Sequence, residues 1–468
     1  MILFAFSAFA EAPQGDPPGD PPGGFGGGNP PGDPPGGFGG GNPPGDPPGG
    51  SGGFGGSTPP GGGTSSFEYA AATEITEAAE LSGRVFSSST TDESALIVNT
   101  ADAVTLTDIT VSKTGDSDGG DNCNFYGLNA AVLVMGGSTA AITGGTIETS
   151  ASGANGVFSY GGNGGRNGAQ GDGTTVIISG TTITTTGDGS GGIMTTGGGT
   201  TIAENLTVTT GGRSSAAIRT DRGGGTVSVD GGTYTTSGLG SPAIYSTADI
   251  TVKNAELVSN LSEGVCIEGK NTITLENCNL TASNTQCNGH ATFLDTIMIY
   301  QSMSGDADSG TSAFTMTGGS LTSLSGHMFH VTNTHAVITL SGVTLNNEGS
   351  DILLSVCDDG WSGASNIAEL YADAQALSGT ILVGSNSTLV LSLSGGSSFE
   401  GTVSGEITNA KGTQVSTEVG TVSVSLDETS TWTLTADTYI TEFSGSAENV
   451  IGSGYTLYVS GTALEGIR

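Results

Sequence analysis

Positive charge is the first thing this chain lacks: 10 Lys and Arg stand against 45 Asp and Glu, a formal net charge of -35. A surface of that sign repels phosphate backbones and anionic headgroups, which argues against nucleic acid or membrane partners, and it attracts divalent cations. Aromatic residues make up only 6% and helix formers are scarce, while Thr, Ser, Gly, Val and Ile dominate. This is a β composition with small residues at its turns. The five cysteines, Cys123, Cys266, Cys278, Cys287 and Cys357, are odd in number and include no CxxC pair, so their spacing gives no zinc site. They read as small interior hydrophobes, with a disulfide among Cys266, Cys278 and Cys287 left open. Past the N-terminus there is no apolar run long enough to span a membrane. Nor is there a phosphate loop, a dinucleotide fingerprint or an ordered Ser-His-Asp set.

Proline is missing from most of the chain as well: fifteen of the sixteen lie between Pro13 and Pro60, and the last is Pro242. Residues 1–10 are apolar and end in Ala8-x-Ala10, which reads as a secretory signal truncated before its basic region, since the first basic residue is Arg84. Residues 11–63 repeat Gly-Asp-Pro-Pro-Gly-Gly-Phe-Gly-Gly-Gly-Asn-Pro-Pro, with Asp20, Asp33 and Asp46 spaced 13 apart. Pro-Pro pairs and Gly runs without a Gly-X-Y period predict a disordered stalk. Residues 64–93 are assigned to an N-terminal cap, helical or not, because an open solenoid end exposes unpaired backbone and apolar interior. Residues 68–81 are the one stretch of decent helix propensity. Coils follow over 94–410, and final coils with a C-terminal cap over 411–468, where Trp432 is expected to shield the open end. The whole predicts a secreted or surface-displayed monomer.

What the chain does have is a repeat. Val132-Leu-Val-Met-Gly-Gly, Val157-Phe-Ser-Tyr-Gly-Gly and Ile193-Met-Thr-Thr-Gly-Gly recur 25 residues apart once an 11-residue insertion at 163–173 is removed. Ile218-Arg-Thr-Asp and Ile244-Tyr-Ser-Thr continue at 25 and 26. Such a period with Gly at the corners predicts an all-β solenoid, a right-handed parallel β-helix. Alternation puts Val132, Val157, Ile193, Ile218, Ile244 and Val265 in an interior column, with the hydroxyls of Ser159, Thr195, Thr220 and Ser246 stacked beside it. It puts Leu133, Phe158, Met194, Arg219 and Tyr245 in an outward slot.

These Gly-punctuated coils, the run Arg213-Ser-Ser-Ala-Ala-Ile-Arg-Thr-Asp-Arg222-Gly-Gly-Gly and the closing Ser-Thr-Trp432-Thr-Leu segment carry a resemblance over residues 94–468. The chain resembles secreted bacterial right-handed parallel β-helix proteins of the adhesin-like, carbohydrate-binding kind. The architecture is also similar to that of pectate lyases and autotransporter passengers. No lyase motif matches residue by residue, so the resemblance implies no catalytic residue.

Four features are candidate sites. Arg213, Arg219 and Arg222 cluster around Asp221, and planar guanidinium groups suit carboxylate recognition, as in uronic acids, with Tyr160 and Tyr245 for sugar stacking. The bland reading is an exposed ion-pair group. Asp116, Asp118 and Asp121, and likewise Asp306 and Asp308, sit on turns that offer oxygens to Ca2+, although neither matches an EF-hand and both also read as solvated turns. Thr182/Thr184, Thr207/Thr209 and Thr233/Thr235 form a rack bounded by Glu148 and Glu256, suited to ice or crystalline polysaccharide and equally explained by β propensity. His327, His330 and His335 are spaced so that the first two face opposite sides of a strand, which argues against a metal site. The expectation is a carbohydrate-binding, adhesin-like protein whose ligand is an acidic extracellular polysaccharide or cell-surface glycan. The alternatives are a Ca-dependent polysaccharide lyase and a structural filament. The lyase requires a long loop to bring Asp116 to Asp121 across about four coils, roughly 19 Å, to Arg219.

Overall fold

The computed structural model describes residues 68–163, 170–361 and 365–468; the expected signal and stalk lie outside them. Thr, Val and Ile alternate along short strands, and each strand pairs in parallel with its counterpart one repeat later. A typical coil runs Val157–Tyr160, Thr175–Ser179 and Thr182–Thr185. Stacking these coils yields a sheet of fifteen strands and a second of twenty-two, all in parallel pairings. The larger sheet is two columns, fused where Gly199–Thr210 and Gly225–Thr236 run unbroken from one to the next. The result is the parallel β-helix, with three faces: the fifteen-strand sheet and the two columns.

The interior column is as expected. Val132 pairs with Val157, Val157 with Ile193, Ile193 with Ile218, Ile218 with Ile244, Ile244 with Val265 and Val265 with Ile297. All are buried in one continuous core, and each such side chain contributes about 1.5–3 kcal/mol. The hydroxyls beside them are buried too, but they do not bond to one another up the stack. Thr195 and Ser246 find partners in their own coil, whereas Ser159 donates to a carbonyl of the next coil and Thr220 accepts from the Thr247 amide of the next. Ser159 donates to the Thr200 carbonyl at 3.1 Å, Thr195 meets Thr201 at 2.6 Å, and Ser246 donates to the Ala248 carbonyl at 2.7 Å.

The corner between the two columns rests on left-handed residues in rung after rung. Asn205, Gly231, Asn254, Asn277 and Gly318 hold it with φ between 50 and 72°. L-residues with a Cβ resist this conformation, and Gly, Asn and Asp resist it least. Ala374, at φ 49°, is the exception.

Three expectations change. Residues 68–81, assigned to a cap whether helical or not, contain strands of the coil: Glu74–Ile75 and Ala79–Ser82 pair with the following rung, Ala79 opposite Val104 and Leu81 opposite Leu106. The coils thus begin before residue 94, because Ala79 and Leu81 gain core contacts that outweigh a weak local propensity. Trp432 does not close the end; it is fully buried, stacked on Phe399 at 5.6 Å and donating to the Gly401 carbonyl at 3.0 Å, with Val450 paired beyond it. The outward slot, finally, is not open to solvent. Leu133, Phe158 and Met194 are fully buried beneath residues 114–131, whose helix Asn122–Tyr126 ends at Gly127. Gly127 has φ 79°, and a Cβ there would lie 2.6 Å from a Leu133 methyl, so only glycine allows the segment to sit this low.

Candidate functional site

The fifteen-strand face is roofed from both edges. Residues 114–131 and 284–294 are long versions of the corner leading into this sheet, and residues 301–310 and 357–361 of the corner leading out. The two sets interlock. The amide and hydroxyl of Thr292 donate to Asp359 at 2.7 and 2.6 Å. Gly360 approaches so closely that a Cβ would meet the His290 carbonyl. The roof turns an open ladder into an enclosed polar layer.

Under it lies the arginine cluster. Arg219 keeps its slot between Met194 and Tyr245, yet it is only 5% exposed. Its guanidinium donates to Asp221 at 2.6 Å and to the Ser214 carbonyl at 3.1 Å, and lies 5.3 Å from the Tyr245 ring centre. Arg222, one-third exposed, pairs with Asp306 at 2.5 Å and lies over the Phe125 ring at 4.1 Å. Arg222 therefore touches the 114–131 segment and the 301–310 segment at once. Burial raises the Asp221 carboxyl to about 6 against the pull of Arg219. Burial and then Asp306 raise that of Asp121, which Arg219 and Arg222 oppose. The long loop needed to bring the first acidic turn to the arginines exists, and Asp121 is the residue it delivers.

The other expected site residues are placed as follows. Arg213 is half-buried, and its backbone amide donates to Asp188 at 2.8 Å. Tyr160 is half-buried and edge-on to Tyr126 at 5.9 Å. Asp116 is exposed and accepts from the Ser152 amide at 2.8 Å; Asp118 is exposed. Asp308 pairs with Lys270 at 2.9 Å. Among the described residues, no three His, Cys, Asp or Glu side chains are grouped to hold a metal ion. The threonine rack is in register, Thr182 with Thr207 and Thr233, Thr184 with Thr209 and Thr235, on an uncovered face. All five cysteines are free thiols.

A second cluster was not visible in the sequence. Beyond Arg219 the slot continues through Tyr245, Cys266, Met298 and His330. Here the roof leaves a cavity of about 50 Å3 lined by Tyr245, Glu263, Cys266, His290, Tyr300 and Trp361 among others. Trp361 lies against Tyr300 at 4.9 Å and edge-on to His290 at 6.2 Å. The hydroxyls of Tyr245 and Tyr300 both donate to Glu268, at 2.5 and 3.2 Å, and both residues line the cavity. Glu263 is 6% exposed and accepts from the Ser262 hydroxyl; burial pushes its carboxyl up. Asp295, 1% exposed with Oδ1 unpartnered, is pushed well up by burial and then by Glu263.

His327 and His330 both reach the Ser355 hydroxyl at 2.8 Å, and His330 lies 3.3 Å from Asp359. They share a side because Met328 and Phe329 both enter the core, which breaks the alternation. Serine, histidine and aspartate here are sealed under the roof, Ser355 and His330 at zero exposure, and they fasten the 357–361 segment to the sheet. The one sequence signal for this region was the lengthened steps between paired residues, Leu96 to Val132, Val265 to Ile297 and Ile297 to Phe329. Comparison with protein-family models, with curated proteins and with solved structures gives no match.

Proposed function

We propose that this protein is a secreted or surface-displayed, adhesin-like carbohydrate-binding protein whose binding site is the roofed cavity around Trp361. The observation that carries this reading is the convergence of three aromatic rings, Tyr245, Tyr300 and Trp361, on one recess that also presents a carboxyl group. Sugar rings bind through flat apolar faces against aromatic side chains, with a few polar groups fixing orientation. A cavity of about 50 Å3 admits one ring substituent, so the sugar ring itself stacks at the mouth on Trp361. The arginines support an acidic polysaccharide less well than their clustering suggested. Arg219 and Arg222 already hold Asp221 and Asp306, and a uronate would have to displace those partners.

The test is binding to an immobilised glycan panel, run with calcium and with chelator, using the wild-type protein and Trp361→Ala. Selective binding lost in Trp361→Ala supports the reading, and the chelator arm shows whether the acidic turn around Asp116 and Asp118 takes part through calcium. Failure to retain any glycan sinks it. Binding that survives Trp361→Ala but falls in Arg222→Ala returns the site to the arginine cluster.

A further inference from the structure

The chemistry of the cavity wall narrows the ligand, on the assumption that the carbohydrate reading holds. Tyr245, Tyr300 and Trp361 line one small volume, the Tyr245 ring already lying 5.3 Å from the Arg219 guanidinium, and Cys266 and Met298 add soft, polarisable surface. Among the described residues, no Lys or Arg lines it. Ring faces carry the negative side of the aromatic quadrupole, and several around one volume attract a desolvated cation. Glu263 adds a carboxyl group at the same wall, nine-tenths buried. A carboxylate accepts about four hydrogen bonds; Ser262 and Asn284 supply the side-chain donors to this one.

The charge balance points the same way. Behind Glu263 sits Asp295, whose Oδ1 has no hydrogen-bond partner; burial, Glu263 and Asp359 raise its carboxyl, so it rests protonated. Burial raises Glu263 too, so that a bound cation is what would let Glu263 ionise. The arginine cluster shows what this protein does with buried acids elsewhere: Asp221 has Arg219 and Asp306 has Arg222. Glu263 and Asp295 have no such ion pair among the described residues. A net charge of -35 concentrates cations at the mouth and disfavours anions there.

We infer that the substituent taken into this cavity is a protonated amine, so that the ligand is a glycan containing amino sugars with a free amine rather than N-acetylated or uronic ones. The ammonium sits among the rings of Tyr245, Tyr300 and Trp361 and donates to Glu263, while its sugar ring lies against Trp361.

The chain has two tryptophans. Trp432 is fully buried in a distant rung, so a ligand-induced change in fluorescence reports on Trp361; variants at Trp361 itself are titrated by calorimetry, alongside the wild-type protein. The experiment titrates the full chain with glucosamine oligomers, the matched N-acetylated oligomers, galacturonate oligomers and methylammonium, at physiological salt to screen non-specific attraction. Binding of the amine oligomer is expected to exceed that of its N-acetylated counterpart by about tenfold or more, and Glu263→Gln to abolish the preference. Should Glu263→Gln fail to fold, Trp361→Phe and Tyr300→Phe serve instead: each keeps a ring, so each should retain the preference, and Trp361→Ala should lose it.

Equal or tighter binding of the N-acetylated or galacturonate oligomers overturns the amine inference and leaves the carbohydrate reading standing. A preference that persists in both Glu263→Gln and Trp361→Ala also overturns it, because bulk charge would then explain the attraction. Binding of methylammonium with no glycan bound supports the cation site and sinks the carbohydrate reading. No response to any probe removes both.

Discussion

Replacing Asp295 with Asn should stabilise the protein at neutral pH and flatten its dependence of stability on pH. Asp295 is 1% exposed, and Oδ1 has no hydrogen-bond partner. Its titratable surroundings are Glu263 and Asp359, the thiols of Cys266 and Cys287, and His327 on the paired strand. None supplies a cation at neutral pH, since burial and His330 lower His327 to about 3. Burial, Glu263 and Asp359 hold the Asp295 carboxyl well above its ordinary range. The folded state therefore keeps a proton that the unfolded state releases near pH 4. Stability from this group is complete below that point and is lost as pH rises through the folded value, at about 1.4 kcal/mol per pH unit. Between pH 5 and 7 the loss approaches about 3 kcal/mol for a carboxyl that stays protonated throughout. Asn is close to the protonated acid in shape and pays none of it. Thermal unfolding at pH 4, 5, 6 and 7 should show the two proteins close together at pH 4 and the variant ahead by several degrees at pH 7. Parallel profiles, or a variant less stable at pH 7, would refute the argument that this carboxyl is buried without compensation.

Trp432→Ala removes the stack on Phe399 and should cost about 3–5 kcal/mol. Because rungs of a solenoid contact only their neighbours, hydrogen exchange should quicken in the rungs around Thr421–Leu426 and Val450–Ile451 and stay unchanged near Val132. Ala374→Gly relieves the left-handed strain at its corner and should raise stability by about 1 kcal/mol, measured by denaturant unfolding. Thiol titration should find five free groups after unfolding and little reaction before it, with only Cys287 partly accessible; fewer than five would show a disulfide. Arg222→Ala unties residues 114–131 from residues 301–310, so limited proteolysis should cut one of these segments faster while the coils stay intact.

The sequence made the coil legible and its covering illegible, for a physical reason. Val132, Val157, Ile193 and Ile218 declare themselves because every rung must fill the same interior position, so the pattern repeats. Segments such as 284–294 and 357–361 occur once each, and no period reveals what they pack against. The slot holding Arg219 and Tyr245 was read correctly as facing away from the interior, but direction is not exposure, and the arginine proved to be enclosed with Asp221. Glu263 and Trp361 lie far apart in the chain and meet only because two corners bend over the same sheet. His327 and His330 were misread as facing opposite ways because one irregular step at Met328 shifts the alternation. The threonine rack, by contrast, was placed correctly in register, since it follows from the same period as the core.

The roof also bears on how such a molecule changes. The corner crossed by residues 114–131 in one rung is crossed in the next by residues 150–156, between faces that do not move. Ends fixed by the ladder make length inexpensive: doubling a loop adds only about 0.6 kcal/mol of closure entropy. The frame thus sets where the ceiling begins and ends, while the length between is set by little else. A segment of different length could cross the same corner and change the shape and charge of the recess, provided the slot residues it covers, such as Leu133 and Phe158 beneath Gly127, change to fit it.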